Sequence, residues 1–534
     1  MMVLKTSKTR YALLLLLLLS LVTAACSGSG NGTAPADNAG KPEAAAPETS
    51  GAATPDPVEI TVMRGDAPIQ PLVKDSPAQK EIMSHTNVII NLEGVPNSDY
   101  DAKSNTLIAT NNVPDVMHIK RADLITHANS GVFLNLSDYI ETYAPNFLKW
   151  VEQEPELDKL RIDGDFYGFP IVANKEHAAF VGGLPMIRTD ILQELNLAMP
   201  TSFDELYEVL KAMKAAYPDS YPWTMRNGAE ANLKTLAFAF GNGYPTYYDP
   251  EDSQYVFGPM KDSFADVLTY LNKLYKEGLL DPNFATNTAQ QWQQNLSSGK
   301  SFFFFDNYTF ATNFNLSLQE IDKTAQFDMV PVLTAPSGAK RHYMDSPNSY
   351  NSYVVSSKTE HPEEIVKMFD WMYSEEGMEA TNFGTPGVHF TKENGKIVIS
   401  PDLLAEFSGK SDPYRAMQSY TGTGLLAFAV VTDDTPMLTI SPPKLTDWSD
   451  MVKAQVSEGS IVEKVLDPPF TEAEREQLKQ LNSSVNTILT QNIDKFIFGA
   501  RPVSELDAFR NELNKAGAAE IVAIYNAALA RMGS

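Results

Sequence analysis

Val58-Glu59-Ile60-Thr61-Val62-Met63, Val88-Ile89-Ile90-Asn91-Leu92 and Asp115-Val116-Met117-His118-Ile119 are three short runs rich in β-branched and apolar residues, the signature of strands. Between the first two, Ser76-Pro77 opens a helical stretch to about Ser84; between the second and third, Asp99 to Ala109 has helical character and Val113-Pro114 ends it. Strands alternating with helices predict an α/β fold built on a parallel sheet with right-handed crossovers. Ligands of such sheets gather at the carboxyl ends of the strands. Arg64 and Asp66 after the first strand, and His118 and Lys120 at the third, are therefore site candidates, with Arg64 and Lys120 suited to a uronic carboxylate.

Working outward, the chain preceding Val58 has a different texture. Lys5, Lys8 and Arg10 precede Tyr11 to Val22, an apolar run containing Leu13 to Leu19 without a break. That is a signal-peptide core, too short for a membrane span of about 20 residues. It closes on Val22-Thr23-Ala24-Ala25-Cys26, with Cys26 the only cysteine of the chain. This stretch resembles a bacterial lipobox, although Thr23 stands where such motifs more often carry a large aliphatic residue. The resemblance implies cleavage after residue 25 and acylation of Cys26, and two or more acyl chains anchor stably where one holds marginally. Residues 26–57 then read as the lipidated Cys26 and a disordered tether, rich in Gly, Ala, Pro and Ser with no apolar period to bury. The folded body is expected over 58–534.

The chain has 534 residues, 43% of them apolar, enough for roughly three to four domain-sized units. Its 67 Asp and Glu against 42 Lys and Arg leave a net charge of −25, the wrong sign for neutralising phosphates along DNA or RNA. No nucleic-acid partner is expected.

Helices dominate the later chain. Ser202 with Glu205 forms an expected capping box for a helix over 203–217, whose Phe203, Leu206, Leu210, Met213 and Tyr217 share one face. Thr471 with Glu474, and Ser504 with Asp507, open two more, the second expected to run through Phe509, Leu513, Ile521, Ile524 and Leu529.

Signals for cofactor chemistry fail. Gly299-Lys300-Ser301 ends like a phosphate loop, but Gln294 stands where its leading glycine is required. Seven scattered histidines and one cysteine make no zinc motif. Asp249-Pro250-Glu251-Asp252-Ser253 lacks the Gly and terminal Glu of a calcium loop and reads as a solvated acidic turn. No cofactor, metal or catalytic residue is assigned. There is no Gly-x-Ser-x-Gly elbow, yet a glycosidase carboxylate pair can be neither found nor excluded among 67 acids.

What the chain offers instead is aromatic rings beside amides and carboxylates in loop-like segments: Tyr221-Pro222-Trp223, Trp292-Gln293, Asp306-Asn307-Tyr308, Asn348-Ser349-Tyr350-Asn351 and Trp448. Carbohydrate sites need flat rings for the apolar faces of sugars and planar polar groups for hydroxyls. Trp223, Trp292, Tyr308, Tyr350 and Trp448 are accordingly stacking candidates, and Asn174, Asp306 and Asn307 hydroxyl partners, although at 10% aromatic content many of the chain's rings must pack the core. Phe302 to Phe305 reads as a buried strand that ends at Asp306.

Further segments carry a family resemblance: Val113-Pro114-Asp115-Val116-Met117, Asp163-Gly164-Asp165-Phe166-Tyr167-Gly168-Phe169-Pro170, Leu271 through Pro282, Trp371 through Gly377, and Asn382 through Val388. In their order and spacing the body resembles bacterial extracellular solute-binding proteins of family 1, the LplA-type lipoproteins serving carbohydrate ABC importers. The resemblance implies a two-lobed, type II-like periplasmic-binding-protein fold with a helical C-terminal region. Lobe 1 would take about 58–165 plus part of 310–400, and lobe 2 about 170–305 plus parts of 400–534. It also implies an oligosaccharide ligand, ABC permease subunits as partners, a monomer, and anchorage outside the cell membrane through Cys26. Two other readings stay open: a surface glycosidase or lyase, and a receptor for a peptide or another polar solute.

Overall fold

In a computed structural model, which describes residues 56–178, 182–410, 412–441 and 443–532, the three opening runs form the strands Val58–Asp66, Val88–Pro96 and Val116–Ile119. The first lies between the other two and is parallel to both, with Val58 opposite Val88 and Val62 opposite Val116. The expected signal peptide and Cys26 lie outside the described residues, as does the tether up to residue 55. Among the described residues no helix is long and apolar enough to cross a membrane.

The helix between the first two strands, Pro77–Thr86, begins where Ser76 Oγ accepts the Gln79 amide and the Gln79 side chain returns to the Ser76 amide. It stops at Asn87, whose φ of 58° is left-handed, a conformation Asn tolerates better than most residues. The next helix spans Asn97–Ala109.

The sheet has five strands, in the order 88–96, 58–66, 116–119, 352–355 and 169–170. It is mixed rather than wholly parallel, because Ser352–Val355 pairs antiparallel with Val116–Ile119. This strand comes from far along the chain and enters at the edge where 116–119 leaves. Alternation along each strand makes two cores from one sheet. Ile60, Val62, Val116, Tyr353 and Val355 face one cluster with Phe147, Phe169 and Phe369; Met63, Met117 and Val354 face another with Tyr100 and Ile108. Ala427, Phe428, Val430 and Val431 also join the first of these cores.

The second lobe is built on Gly183–Arg188, flanked antiparallel by Phe303–Asn307 and Phe327–Met329. Helix Phe203–Ala216 buries Phe203, Leu206, Leu210 and Met213 in the same core that takes Leu478, Val485, Leu489 and Phe496 of the 27-residue helix Glu472–Phe498. Ser202 Oγ accepts the Glu205 amide at 3.2 Å, but the Glu205 carboxylate turns to the Thr201 amide and hydroxyl at 2.8 and 2.7 Å. The capping box is thus one-sided at Ser202, whereas Thr471 and Glu474 form the reciprocal version. The single C-terminal helix expected from Ser504 is two, Leu506–Lys515 and Ala518–Met532. Gly517 separates them at φ 106°, where a Cβ would stand 2.4 Å from Leu481 Cδ2.

The acidic segment at 249–253 turns the hairpin Thr246–Asp249/Gln254–Phe257. Residues 250–253 form the solvated turn expected, but the carboxylate that precedes them is not solvated. Asp249 is fully buried and its carboxylate is met by the Lys261 ammonium and, at 2.9 Å, by the Tyr247 hydroxyl. Burial works to raise the Asp249 pKa, but the hydrogen bonds from Lys261 and Tyr247 and the lysine's charge hold it below the usual range.

Candidate functional site

At the carboxyl edge of the first sheet, the ends of the parallel strands and the start of Ser352–Val355 converge on a cavity of about 320 Å³ lined by Arg64, Asn97, Tyr100, His118, Lys120 and Asn351, among others. A second cavity, about 310 Å³, is lined by Arg121, Ser346, Asn348, Tyr350, Lys464 and Asp467. The two adjoin, since the Arg121 amide donates to Asn351 Oδ1 at 3.4 Å. Each matches the lower end of small-ligand sites, roughly 300–1,000 Å³.

The walls of the first cavity are polar but neutral at several points. His118 packs edge-on to Tyr353 with ring centroids 5.5 Å apart. Burial, reinforced by the positive charge of Arg64, pushes its pKa well down, so the imidazole is uncharged at neutral pH and offers one donor and one acceptor. The Tyr100 hydroxyl sits 2.6 Å from the His118 carbonyl and 3.2 Å from that of Met63, and burial raises its pKa. Gly65 makes room for Asn97: a Cβ there would lie 2.2 Å from Asn97 Oδ1. Amides, hydroxyls and a neutral imidazole are groups that pair with alcohols.

Arg64, His118 and Lys120 line this cavity, but the cations are already engaged. Arg64 is buried, and its guanidinium donates to the carbonyl of Leu426 at 3.2 Å, the carbonyl of Leu425 and the hydroxyl of Tyr353. It fastens the loop that roofs the cavity instead of presenting a free fork. Lys120 pairs with Asp101 at 2.5 Å on the surface, and Asp66 accepts the Leu72 amide at 3.0 Å.

Four of the five stacking candidates are core. Trp223, Trp292, Tyr308 and Trp448 have at most 1% of their surface exposed. Trp223 packs on Phe303, Trp292 on Phe304, Phe310 and Phe314, and Tyr308 on Trp448, whose indole N–H donates to Asp328. These rings fill the space between the second lobe's sheet and its helices, so their faces are covered. Tyr350 alone borders a cavity; its hydroxyl accepts from Asn348 Nδ2 at 2.8 Å.

The polar candidates divide in the same way. Asp306 holds Arg226 through two hydrogen bonds of 2.8 and 2.9 Å, with the guanidinium lying against Trp292 and Phe310. Asn307 closes a turn by accepting from the Thr309 amide and hydroxyl. Asn174 donates to Asp433 at 3.1 Å beside His177, which meets the same oxygen at 2.6 Å. That cluster ties the segment after Val172–Ala173 to the one after Val431–Thr432, two strands that pair in parallel between the sheets.

Sequence reasoning did not single out Asn97 and Arg121. The carboxyl-end rule that selected Arg64 and Lys120 applies equally to Asn97, one residue past the second strand. Among the described residues no group of three or more His, Cys, Asp or Glu is arranged to hold a metal.

A model of the bacterial extracellular solute-binding protein family matches residues 64–379, more than half of the chain. The chain belongs to this family. Similar members include the lipoprotein LipO of Bacillus subtilis (strain 168), 28% identical over 364 residues, 62% of this chain and 70% of that one. The polygalacturonan/rhamnogalacturonan-binding protein YtcQ of the same organism is 26% identical over 413 residues, 73% of this chain and 80% of its own. The fructooligosaccharide ABC transporter substrate-binding protein FusA of Streptococcus pneumoniae serotype 4 is 24% identical over 448 residues, 80% and 82% of the two chains. Among solved structures, the alginate-binding protein AlgQ2 without calcium ion aligns with a TM-score of 0.69 at 22% identity, over 89% of this chain and 98% of that one. FusA in complex with kestose aligns at 0.66 and 22%, over 88% and 98%. The two-lobed periplasmic-binding-protein-like fold of the solute-binding family is therefore the fold of this chain.

Proposed function

We propose that this solute-binding protein captures an oligosaccharide between its lobes and delivers it to an ABC import permease, binding without turnover. The observation that carries the reading is a pair of adjoining cavities at the carboxyl edge of the first sheet, walled by Asn97, Asn348, Asn351, Ser346 and a neutral His118. Such groups suit vicinal hydroxyls. Support comes from relatives named for oligosaccharide binding and transport. Segments 171–178, 345–351 and 430–435 act as the hinge, and ligand bound better to the closed state drives closure. Acylation at Cys26 tethers the monomeric receptor to the outer face of the cell membrane.

The test is thermal unfolding of the purified protein against a panel of neutral and acidic oligosaccharides, with each mixture checked for cleavage. A ligand at 100 times its dissociation constant adds about 2.7 kcal/mol. A raised melting temperature with intact sugar supports the receptor; cleaved sugar, or no response to any sugar, overturns it.

A further inference from the structure

We infer that Arg121 reads a carboxylate on the captured sugar, so that the ligand is an oligosaccharide containing uronic acid; this rests on the receptor reading above. Arg121 lines the 310 Å³ cavity on one side and a smaller cavity of about 80 Å³ on the other. The smaller one is far below the roughly 300 Å³ of a site for a whole ligand. It takes a substituent, not a ring.

The guanidinium itself is under-used. Of its five N–H donors, the one hydrogen bond among the described residues runs from Nη2 to the Asp467 carbonyl at 3.4 Å, and Nε is buried with no partner. Among the described residues it forms no direct ion pair. The nearby acids have other partners: Glu156 takes Lys159 at 2.5 Å and the Leu466 amide at 2.8 Å, while the Asp467 carboxylate faces the Tyr525 hydroxyl at 3.5 Å. Burial lowers the pKa of Arg121 against the pull of Asp467, Tyr255, Tyr350 and Glu156. Asp467 and Glu156 offset the desolvated guanidinium only from beyond direct contact among the described residues, and an arriving carboxylate supplies the hydrogen bonds it lacks.

Three more cations border the small cavity. Lys159 and Arg161 are paired with Glu156 and Asp158, whereas the Arg475 guanidinium donates only to the Phe470 carbonyl. In a chain of net charge −25, this grouping stands out. Arg64 and Lys120, by contrast, are spoken for by carbonyls and by Asp101. The planar fork of Arg121 matches a planar carboxylate with two parallel hydrogen bonds.

The experiment is isothermal titration of the purified protein with trimers of galacturonic, mannuronic and glucuronic acid, their methyl esters, the matching neutral trimers and a sulfated trimer. The expected result is that at least one acid binds about tenfold or more tightly than its ester, the scale of a charge-assisted pair. Arg121→Gln should erase that ratio, and Lys211→Gln on the distant surface should keep it. Acid and ester binding alike, neutral or sulfated trimers binding in preference to every acid, or an acid-to-ester ratio unchanged in Arg121→Gln would each overturn the inference and leave the receptor reading intact. No sugar binding at all would overturn both. Where Arg121→Gln fails to fold, Arg121→Lys, which keeps the charge and loses the fork, should lower the ratio, and an unchanged ratio there refutes the assignment.

Discussion

His342 gives the second lobe a calculable sensitivity to acid. It lies on the short strand His342–Met344, which pairs with Ile461–Glu463, and its ring is buried against Phe305 at 5.3 Å. Burial pushes its pKa down to about 4, with a hydrogen bond to the Gly183 backbone pulling weakly the other way. The unfolded chain titrates near 6.5. The folded pKa is depressed, so below 6.5 the unfolded state binds the proton first; stability present above 6.5 is lost as pH falls toward 4. Between pH 7 and 4.5 this one group removes about 2 kcal/mol. His342→Phe keeps a flat ring and removes the proton site. Its packing cost is the same at both pH values and cancels when urea-unfolding free energies of variant and wild type are compared at each. The variant should gain about 2 kcal/mol on the wild type between pH 7 and 4.5. A difference that stays flat to within about 0.5 kcal/mol would show that His342 is hydrated or paired in the folded protein, and would refute the reasoning.

Other perturbations test other joints. Trp292→Ala empties a site packed by Phe304, Phe310, Phe314 and the Arg226 guanidinium; it should lower stability by about 3–5 kcal/mol in denaturant unfolding. Thr471→Ala removes the reciprocal cap of the 27-residue helix, with an expected loss of about 1 kcal/mol in the same assay. Arg64→Met strips the carbonyls of Leu425 and Leu426 of their donor, and hydrogen exchange should rise in residues 424–427 while strand 58–66 stays protected. Cys26→Ser should move the protein from the membrane fraction to the medium on fractionation of expressing cells; retention would refute the anchor.

Much of the fold is legible because its determinants are local. The alternation Ile60, Val62 against Met63 declares a two-faced strand, and it is those residues that divide between the two cores of the first sheet. Caps at Ser76, Ser202 and Thr471 fall where their side chains indicate. What is not legible comes from sequence-distant partners. Nothing near Ser352–Val355 says that it will insert beside residues 116–119 and run against them, since the direction follows from where the chain re-enters. Gly517 splits the C-terminal helix because its backbone sits at φ 106°, outside the helical region and open chiefly to glycine; the apolar period runs straight through it.

The site divides along the same line, and the division explains which residue types mislead. A tryptophan next to an amide has the same local sequence whether it stacks on a sugar or fills a core. Trp223, Trp292 and Trp448 are core because residues distant in sequence, such as Phe303 against Trp223 and Phe304 and Arg226 against Trp292, enclose them. Arginines are harder still, because their length lets them choose among partners far apart in sequence. Arg64 reaches carbonyls more than 360 residues away, whereas Arg121, one residue beyond Lys120, finds among the described residues a single weak acceptor and no direct ion pair. The carboxyl-end rule locates the edge at which the two cavities lie; which cation on that edge remains available is decided by the loop 424–427 and the segment 464–470, both contributed by the far half of the chain. A change in either segment would therefore redirect charge specificity without touching the strands that place the cavity, as when a shift of Asp467 toward Arg121 closes the ion pair internally and leaves a site for neutral sugars alone.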